Sequence, residues 1–233
     1  MPGYNGRMEG FGASLEALRP QLAECLAGTL PGSAAQRLFA PELAYGRHAG
    51  PPAFDSRQAA VLVLAYPHGG EWFVPTMVRT QAMKEHAGQI ALPGGSVDAG
   101  ETPAETALRE FEEELGASRE KIDVVGPLTP IYVFNSNFQV HPFLGLCQAR
   151  PDFRPSVGEV AELIEIPLKA LLSPENHSSH KILRRGVTFR APHIQIGPHR
   201  VWGATCMILA EVMALMSRCP VFVSAGCTGL GGA

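Results

Sequence analysis

Apolar and polar positions along the chain alternate in blocks that predict an ordered run of strands and helices. Leu15, Leu18, Leu22, Cys25 and Leu26 recur at helical spacing and predict a helix over 12–28. Ala59–Tyr66 is a continuous apolar run bounded by polar residues, which reads as a buried strand. Trp72–Val78 reads as its partner across a His68-Gly-Gly turn. Shorter strands are predicted at 89–92, 122–134, 140–148 and 162–166, and Pro167 opens a short helix through Leu172. Residues 29–56 are rich in Pro, Gly and Ala and read as irregular. The 173–200 stretch reads as a loop carrying a hairpin from Val187–Arg190 and His193–Ile196. Trp202–Ser217 is a strongly apolar helix, and residues 1–11 and 221–233 are Gly-rich. Trp202, Met207, Met213 and Met216 are read as core. A homodimer through this helix is compatible with the pattern, which does not itself require one.

One further helix is bounded more sharply. Thr102 is a good N-cap, Pro103 suits the first helical position and Glu105 completes a Thr-x-x-Glu capping box. Gly116 suits the left-handed residue that ends a helix. With about 100° per residue, Ala104, Leu108, Phe111 and Leu115 form a core-facing stripe. Glu110, Glu113 and Glu114 gather on another side, next to Arg109, while Glu112 points to solvent.

Clustered carboxylates repel, at roughly 0.2–0.5 kcal/mol per pair on a bare helix. These lie in the C-terminal half, where the helix dipole also disfavours negative charge. The cluster therefore calls for a cation. Mg²⁺ takes oxygen ligands and keeps waters and substrate phosphates in its shell. The loop Pro93-Gly94-Gly95 just upstream allows close backbone approach and offers the Gly95 carbonyl as a further ligand. A run of glutamates alone is most often a solvated face. Here it is locked in register with two glycines, Glu101, an Arg and an apolar stripe.

The wider composition narrows the class. The chain has 233 residues, 45% apolar and 18% charged, which suits one large domain with a normal core. The segments divide as an N-terminal extension (1–56), a main domain (57–217) and a tail (218–233). The net charge is −3, so the chain lacks the basic surplus of a nucleic-acid-binding protein. The five cysteines are scattered without a Cys-x-x-Cys pair, which argues against a zinc site and for a reducing compartment. The N-terminus lacks the features of a signal peptide, and the longest apolar segment, 201–216, contains Glu211 and is too short for a membrane span. The expectation is a cytoplasmic protein without membrane or nucleic-acid partners.

The stretch Gly95-x5-Glu101-x7-Arg109-Glu110-Phe111-x-Glu113-Glu114-x-Gly116-Ala117 matches the Nudix hydrolase signature at every fixed position. The resemblance implies an α/β/α sandwich with a mixed sheet. It also implies hydrolysis, dependent on Mg²⁺ or Mn²⁺, of a diphosphate joined to another group. Glu110 and Glu114 would be the principal metal ligands, Glu113 a second-site ligand, and Glu101 a water-mediated ligand or a brace for Arg109. Arg109 would hold the carboxylates rather than touch substrate. The general base is left between a glutamate of this helix and a later carboxylate, Glu159 or Glu162.

A segment upstream, Arg79-Thr-Gln-Ala-Met-Lys-Glu-His86-Ala-Gly88-Gln89, resembles the additional signature of the coenzyme A pyrophosphatase branch, with Thr80 where Ser is usual and Leu92 where Phe is usual. From the residues alone, Arg79 is a phosphate clamp or a surface charge, and His86 and Gln89 line a pocket or play structural parts. Gly158-Glu-Val-Ala-Glu162 and Val201-Trp-Gly-Ala-Thr205 resemble further segments of that branch. The implied substrate is coenzyme A or its acyl forms, with Arg79 at the diphosphate or the 3′-phosphate. ADP-ribose or another nucleoside diphosphate derivative is the alternative substrate. A non-catalytic nucleotide-sensing module is the alternative of another class, although such modules usually lose carboxylates that this chain retains.

Overall fold

The computed structural model describes residues 15–81, 88–184 and 186–219. Its elements run in order as helices α1 (Leu15–Ala27) and α2 (Gly32–Arg37), strands β1 (Arg57–His68), β2 (Glu71–Arg79), β3 (Ile90–Ala91) and β4 (Gly94–Ser96), then helix α3 (Pro103–Leu115). Strands β5 (Asp123–Pro127), β6 (Ile131–Val133), β7 (Phe138–Leu146) and β8 (Val160–Pro167) follow, with the short helix α4 (Leu168–Leu172). The order closes with β9 (His177–Arg184), β10 (Val187–Ile196), β11 (His199–Trp202) and α5 (Gly203–Met216).

β1 is the organising strand. It pairs in parallel with β7 over 57–65 and antiparallel with β2 and β4, so the larger sheet is mixed. The β1–β2 turn is the predicted glycine pair, Gly69 and Gly70, both at positive φ, as a two-residue hairpin of this hand requires. Successive side chains of a strand point to opposite faces. Along β1, Ala60, Leu62, Leu64 and Tyr66 enter one core with Ala107, Phe111 and Leu115 of α3. Ala59, Val63 and Ala65 enter the other, with Leu18 and Leu22 of α1 and most of α5. Both faces of β1 are covered, which explains why its sequence is an unbroken apolar run rather than an alternating one. The architecture is the expected α/β arrangement with helices on both sides of a mixed sheet.

Several local expectations are corrected. The core stripe of α3 is Ala107, Phe111 and Leu115; Leu108 is only partly buried and Ala104 is not in the core. The proposed hairpin within 187–196 is one strand, β10, which continues through Pro192. It is the centre of a separate three-stranded antiparallel sheet, between β9 and β11. The stretch 29–56 contains a helix, α2, and two short helical turns. Met207, Met213 and Met216 are core as expected, but Trp202 ends β11 only partly buried. The 221–233 tail lies outside the described residues. Among those described, no helix is long and apolar enough to cross a membrane, and Cys25, Cys147 and Cys206 are free thiols.

Candidate active site

The carboxylate helix is built locally as its sequence dictates. The Thr102 hydroxyl accepts from the Glu105 backbone N–H, and the Glu105 carboxylate accepts in return from the Thr102 N–H at 2.8 Å. At the other end Gly116 sits at φ 64° and donates to the Glu112 carbonyl at 2.8 Å. These caps fix the register that presents Glu110 and Glu114 towards the glycine strand β4.

Two glycines make that approach possible. Gly94 (φ 154°) donates its N–H to Glu114 Oε2 at 2.8 Å, and a Cβ there would overlap the Ala60 carbonyl. A Cβ on Gly95 would overlap the Glu110 carboxylate itself. The backbone and the two glutamates therefore share a space that any side chain on β4 would fill.

Arg109 ties the acidic groups together. It donates to both oxygens of Glu101, at 2.9 and 3.0 Å, to Glu110 at 2.8 Å and to Glu113 at 3.0 Å. Thr106 adds a hydroxyl donor to Glu101 at 2.6 Å. These hydrogen bonds, Arg109 first, hold the Glu101 carboxyl down at about 2, so it stays ionised. Glu113 is exposed on the outer side, and Glu112 is tied to Arg119 rather than to this network.

Glu114 and Glu110 carry the opposite bias. Glu114 is 2% exposed, and burial pushes its carboxyl up to about 8, against the pull of the Gly94 N–H and of Arg79. Burial likewise raises Glu110, aided by the charges of Glu113 and Glu159. Arg79 stands with its guanidinium 3.6 Å from Glu114 Oε1. Glu159 lies exposed in the turn before β8, held by its N–H to the Ser156 carbonyl and by its own carbonyl to the Thr80 N–H, and its charge reaches both Glu110 and Glu114.

An all-oxygen set with two partly desolvated carboxylates, beside a backbone left bare by glycine, fits a hard divalent cation. Among the described residues no three Asp, Glu, His or Cys side chains already converge on one point. Arg109 holds Glu110 and Glu113 instead, so buried Glu114, partly buried Glu110 and the Gly95 backbone are the part of the set that fits best.

The structure thus brings together Gly95, Glu101, Arg109, Glu110, Glu113 and Glu114, with Arg79 and Glu159 at their edge. Gln89 stands one position away: its carbonyl accepts from the Arg79 N–H at 3.0 Å, and it lines a neighbouring concavity. Glu162, the other carboxylate considered as a base, pairs with His199 at 3.2 Å. His86 lies outside the described residues. Sequence reading missed Thr106, whose support for Glu101 follows from its place one turn after the N-cap. It also missed Asp98, 3.7 Å from Arg109, which sits in the loop between the signature's first glycine and Glu101.

The NUDIX domain model matches residues 56–186. A protein described as uncharacterized Nudix hydrolase NudL from Pectobacterium atrosepticum is 36% identical over 173 residues, covering 72% of this chain and 88% of the relative. The protein of the same description from Citrobacter koseri is 34% identical over 159 residues, covering 68% and 82%. Among solved structures, a MutT/nudix family protein from Enterococcus faecalis aligns over 91% of this chain and 80% of that one, at 16% identity and a TM-score of 0.49. With its signature glycines, arginine and glutamates assembled around one helix, the chain belongs to the Nudix family.

Proposed function

We propose that this Nudix pyrophosphohydrolase cleaves coenzyme A or its acyl derivatives at the diphosphate, releasing 3′,5′-adenosine bisphosphate and the corresponding 4′-phosphopantetheine. The observation that carries the reading is the 3.6 Å approach of Arg79 to Glu114. It links the residue that opens the upstream signature to the carboxylates of the main one. On this reading the specificity segment and the metal-binding segment form one site, and Arg79 is the fork of donors for the substrate's diphosphate.

Glu110 and Glu114 would hold Mg²⁺ or Mn²⁺, with the Gly95 carbonyl and Glu113 as further ligands. When bound, such an ion neutralises phosphate oxygens and lowers the pKa of a water. Arg109 positions Glu110 and Glu113 and is itself braced by Glu101. Glu159 accepts the proton of the attacking water: it is exposed, and its charge is felt at both Glu110 and Glu114. Glu162 is engaged by His199 and is assigned no part in proton transfer. The hydrolase domain extends to residue 217 on this reading, because α5 lies within the core that also holds β1.

Product analysis by chromatography tests the reading. Coenzyme A, ADP-ribose and a dinucleoside polyphosphate are offered separately, each with Mg²⁺ and with Mn²⁺. Adenosine bisphosphate released from coenzyme A, with slow turnover of the others, is the expected result. Preferred cleavage of ADP-ribose would overturn the substrate assignment and leave the metal chemistry standing.

A further inference from the structure

Where the β2–β3 edge meets β11 lies a concavity of about 360 Å³, open to solvent. Val78 and Gln89 line it from the β2–β3 edge, His199, Arg200 and Trp202 from β11, and Glu162 from β8. Its lining includes Gln89, whose carbonyl accepts the Arg79 N–H at 3.0 Å, while the Val78 and Arg79 side chains point to opposite faces of β2. A ligand whose diphosphate lies at Arg79 and Glu114 would meet β11 by passing around this end of β2.

The lining has a definite chemistry. Among the described residues, Arg79, Arg109 and Arg150 each lie within 4 Å of a carboxylate, whereas Arg200 has no such partner. It is exposed at the rim of the concavity. Such a guanidinium suits a phosphate oxygen. Trp202 presents a partly buried indole whose ring is steadied edge-on by His180 at 5.9 Å between centroids. Indole surface suits a planar base. Glu162, oriented by His199 at 3.2 Å, is an acceptor for an exocyclic amine. A neutral, flexible arm such as pantetheine would leave the Arg200 charge unmet.

We propose that this concavity receives the substrate's purine nucleotide, with Trp202 against the base and Arg200 at a phosphate monoester on the ribose. The proposal deepens the coenzyme A reading above and rests on it. It divides two roles: Arg79 serves the diphosphate and Arg200 the 3′-phosphate.

The test uses Arg200→Gln, Trp202→Leu and Trp202→Phe in the full chain, with kcat and KM on coenzyme A and on its 3′-dephospho form. Calorimetry with 3′,5′-adenosine bisphosphate and with 5′-AMP accompanies the kinetics. Arg200→Gln should lower kcat/KM for coenzyme A by roughly 10-fold or more, mainly through KM, and leave the dephospho substrate unchanged. It should weaken the bisphosphate and spare AMP. Trp202→Leu should weaken both nucleotides, and Trp202→Phe should restore most of that loss. Equal losses on both substrates, or none on either, would overturn the proposal. If the wild-type chain does not cleave coenzyme A, the reading of its activity fails by itself, and calorimetry still decides the concavity. A preference for the bisphosphate over AMP that Arg200→Gln abolishes sustains it, and no preference removes it.

Discussion

The Glu114 carboxylate of α3 accepts the backbone N–H of Gly94 at 2.8 Å, so the first glycine of the loop is bonded to the last glutamate of the cluster. The bond joins the residue just before the family signature to the signature's last glutamate, across twenty residues of sequence. It orients a carboxylate that is otherwise costly to bury. Replacing Glu114 by Gln keeps an oxygen for that N–H and removes the charge. Turnover is expected to fall by roughly 100-fold or more, since several kcal/mol of charge stabilisation are at stake. Thermal unfolding of the metal-free chain should be unchanged or slightly later, because burial already disfavours the ionised form. Activity near wild type would remove Glu114 from the metal site.

Adjacent glycines should fail in different ways. A methyl at Gly94 overlaps the Ala60 carbonyl, which is fixed in the sheet, at a φ that side chains rarely adopt. Gly94→Ala is expected to cost about 1–3 kcal/mol of stability, read as a lower urea midpoint. A methyl at Gly95 overlaps the end of the Glu110 side chain, which can swing away. Gly95→Ala should fold nearly as well as wild type but lose activity, by up to roughly 100-fold for a displaced carboxylate. Equal stability losses in the two variants would contradict this division.

On the proposed reading Arg109 positions the carboxylates, its planar fork serving Glu101 with two bonds while reaching Glu110 and Glu113. A lysine supplies the charge without the fork. Arg109→Lys should raise the metal concentration needed for half-maximal rate by about 10–100-fold, the scale of lost outer support for ligands. The rate at saturating metal should recover in part. A change in kcat with unaltered metal dependence would point instead to contact with substrate.

Acid should loosen the three-stranded sheet. His180 and His193 face each other with Nδ1 atoms 3.1 Å apart, one ring donating to the other, and His180 leans on Trp202. Burial, with Arg200 nearby, lowers both pKa values. A histidine whose folded pKa is depressed binds its proton more readily unfolded. Its contribution to stability is therefore present above the unfolded value of about 6.5 and lost as pH falls below it. The urea midpoint of the wild type should drop further between about pH 7.5 and about pH 5.5 than that of the His180→Gln/His193→Gln variant. Parallel curves would show that the pair does not titrate in this range.

What the sequence disclosed followed from how local its causes were. α3 was legible to the residue at both ends, since a capping box and a left-handed glycine are local chemistry. β1 was legible because both its faces are buried. β9 was not, since His177–Arg184 is mostly polar and has no buried residue on either face, leaving no alternation to read. The hairpin expected from Val187–Arg190 and His193–Ile196 is instead the single strand β10, which runs through Pro192 between two partners. In the site, helical spacing put three glutamates on one side but could not show that Glu114 is buried and Glu113 exposed. That difference comes from β4 and from the turn before β8, which are distant in sequence. The contribution of β11 to the neighbouring concavity was invisible for the same reason.

A final relationship concerns the far side of the sheet. Glu211, fully buried in α5, accepts from the Gly32 N–H at 3.3 Å, the Gln36 amide at 3.0 Å, the Thr129 N–H at 3.2 Å and the Thr129 hydroxyl at 2.6 Å. No Lys, Arg or His lies within ion-pair distance among the described residues, so these neutral donors alone satisfy the charge. They come from α2 and from the β5–β6 connection, so one side chain fastens the N-terminal extension to the hydrolase core. Glu211→Ala would strand these donors in an apolar setting at about 1–3 kcal/mol for each left unpaired. Water entering the space would recover part of this, and a net loss of about 3 kcal/mol is expected. Glu211→Gln keeps one acceptor and should lose less. Hydrogen exchange gives the sharper reading: in Glu211→Ala the amides of α2 should lose protection before those of α3, while the carboxylate helix and its activity persist at temperatures below unfolding. Simultaneous loss in α2 and α3 would show that Glu211 supports the whole domain rather than the attachment of its N-terminal segment.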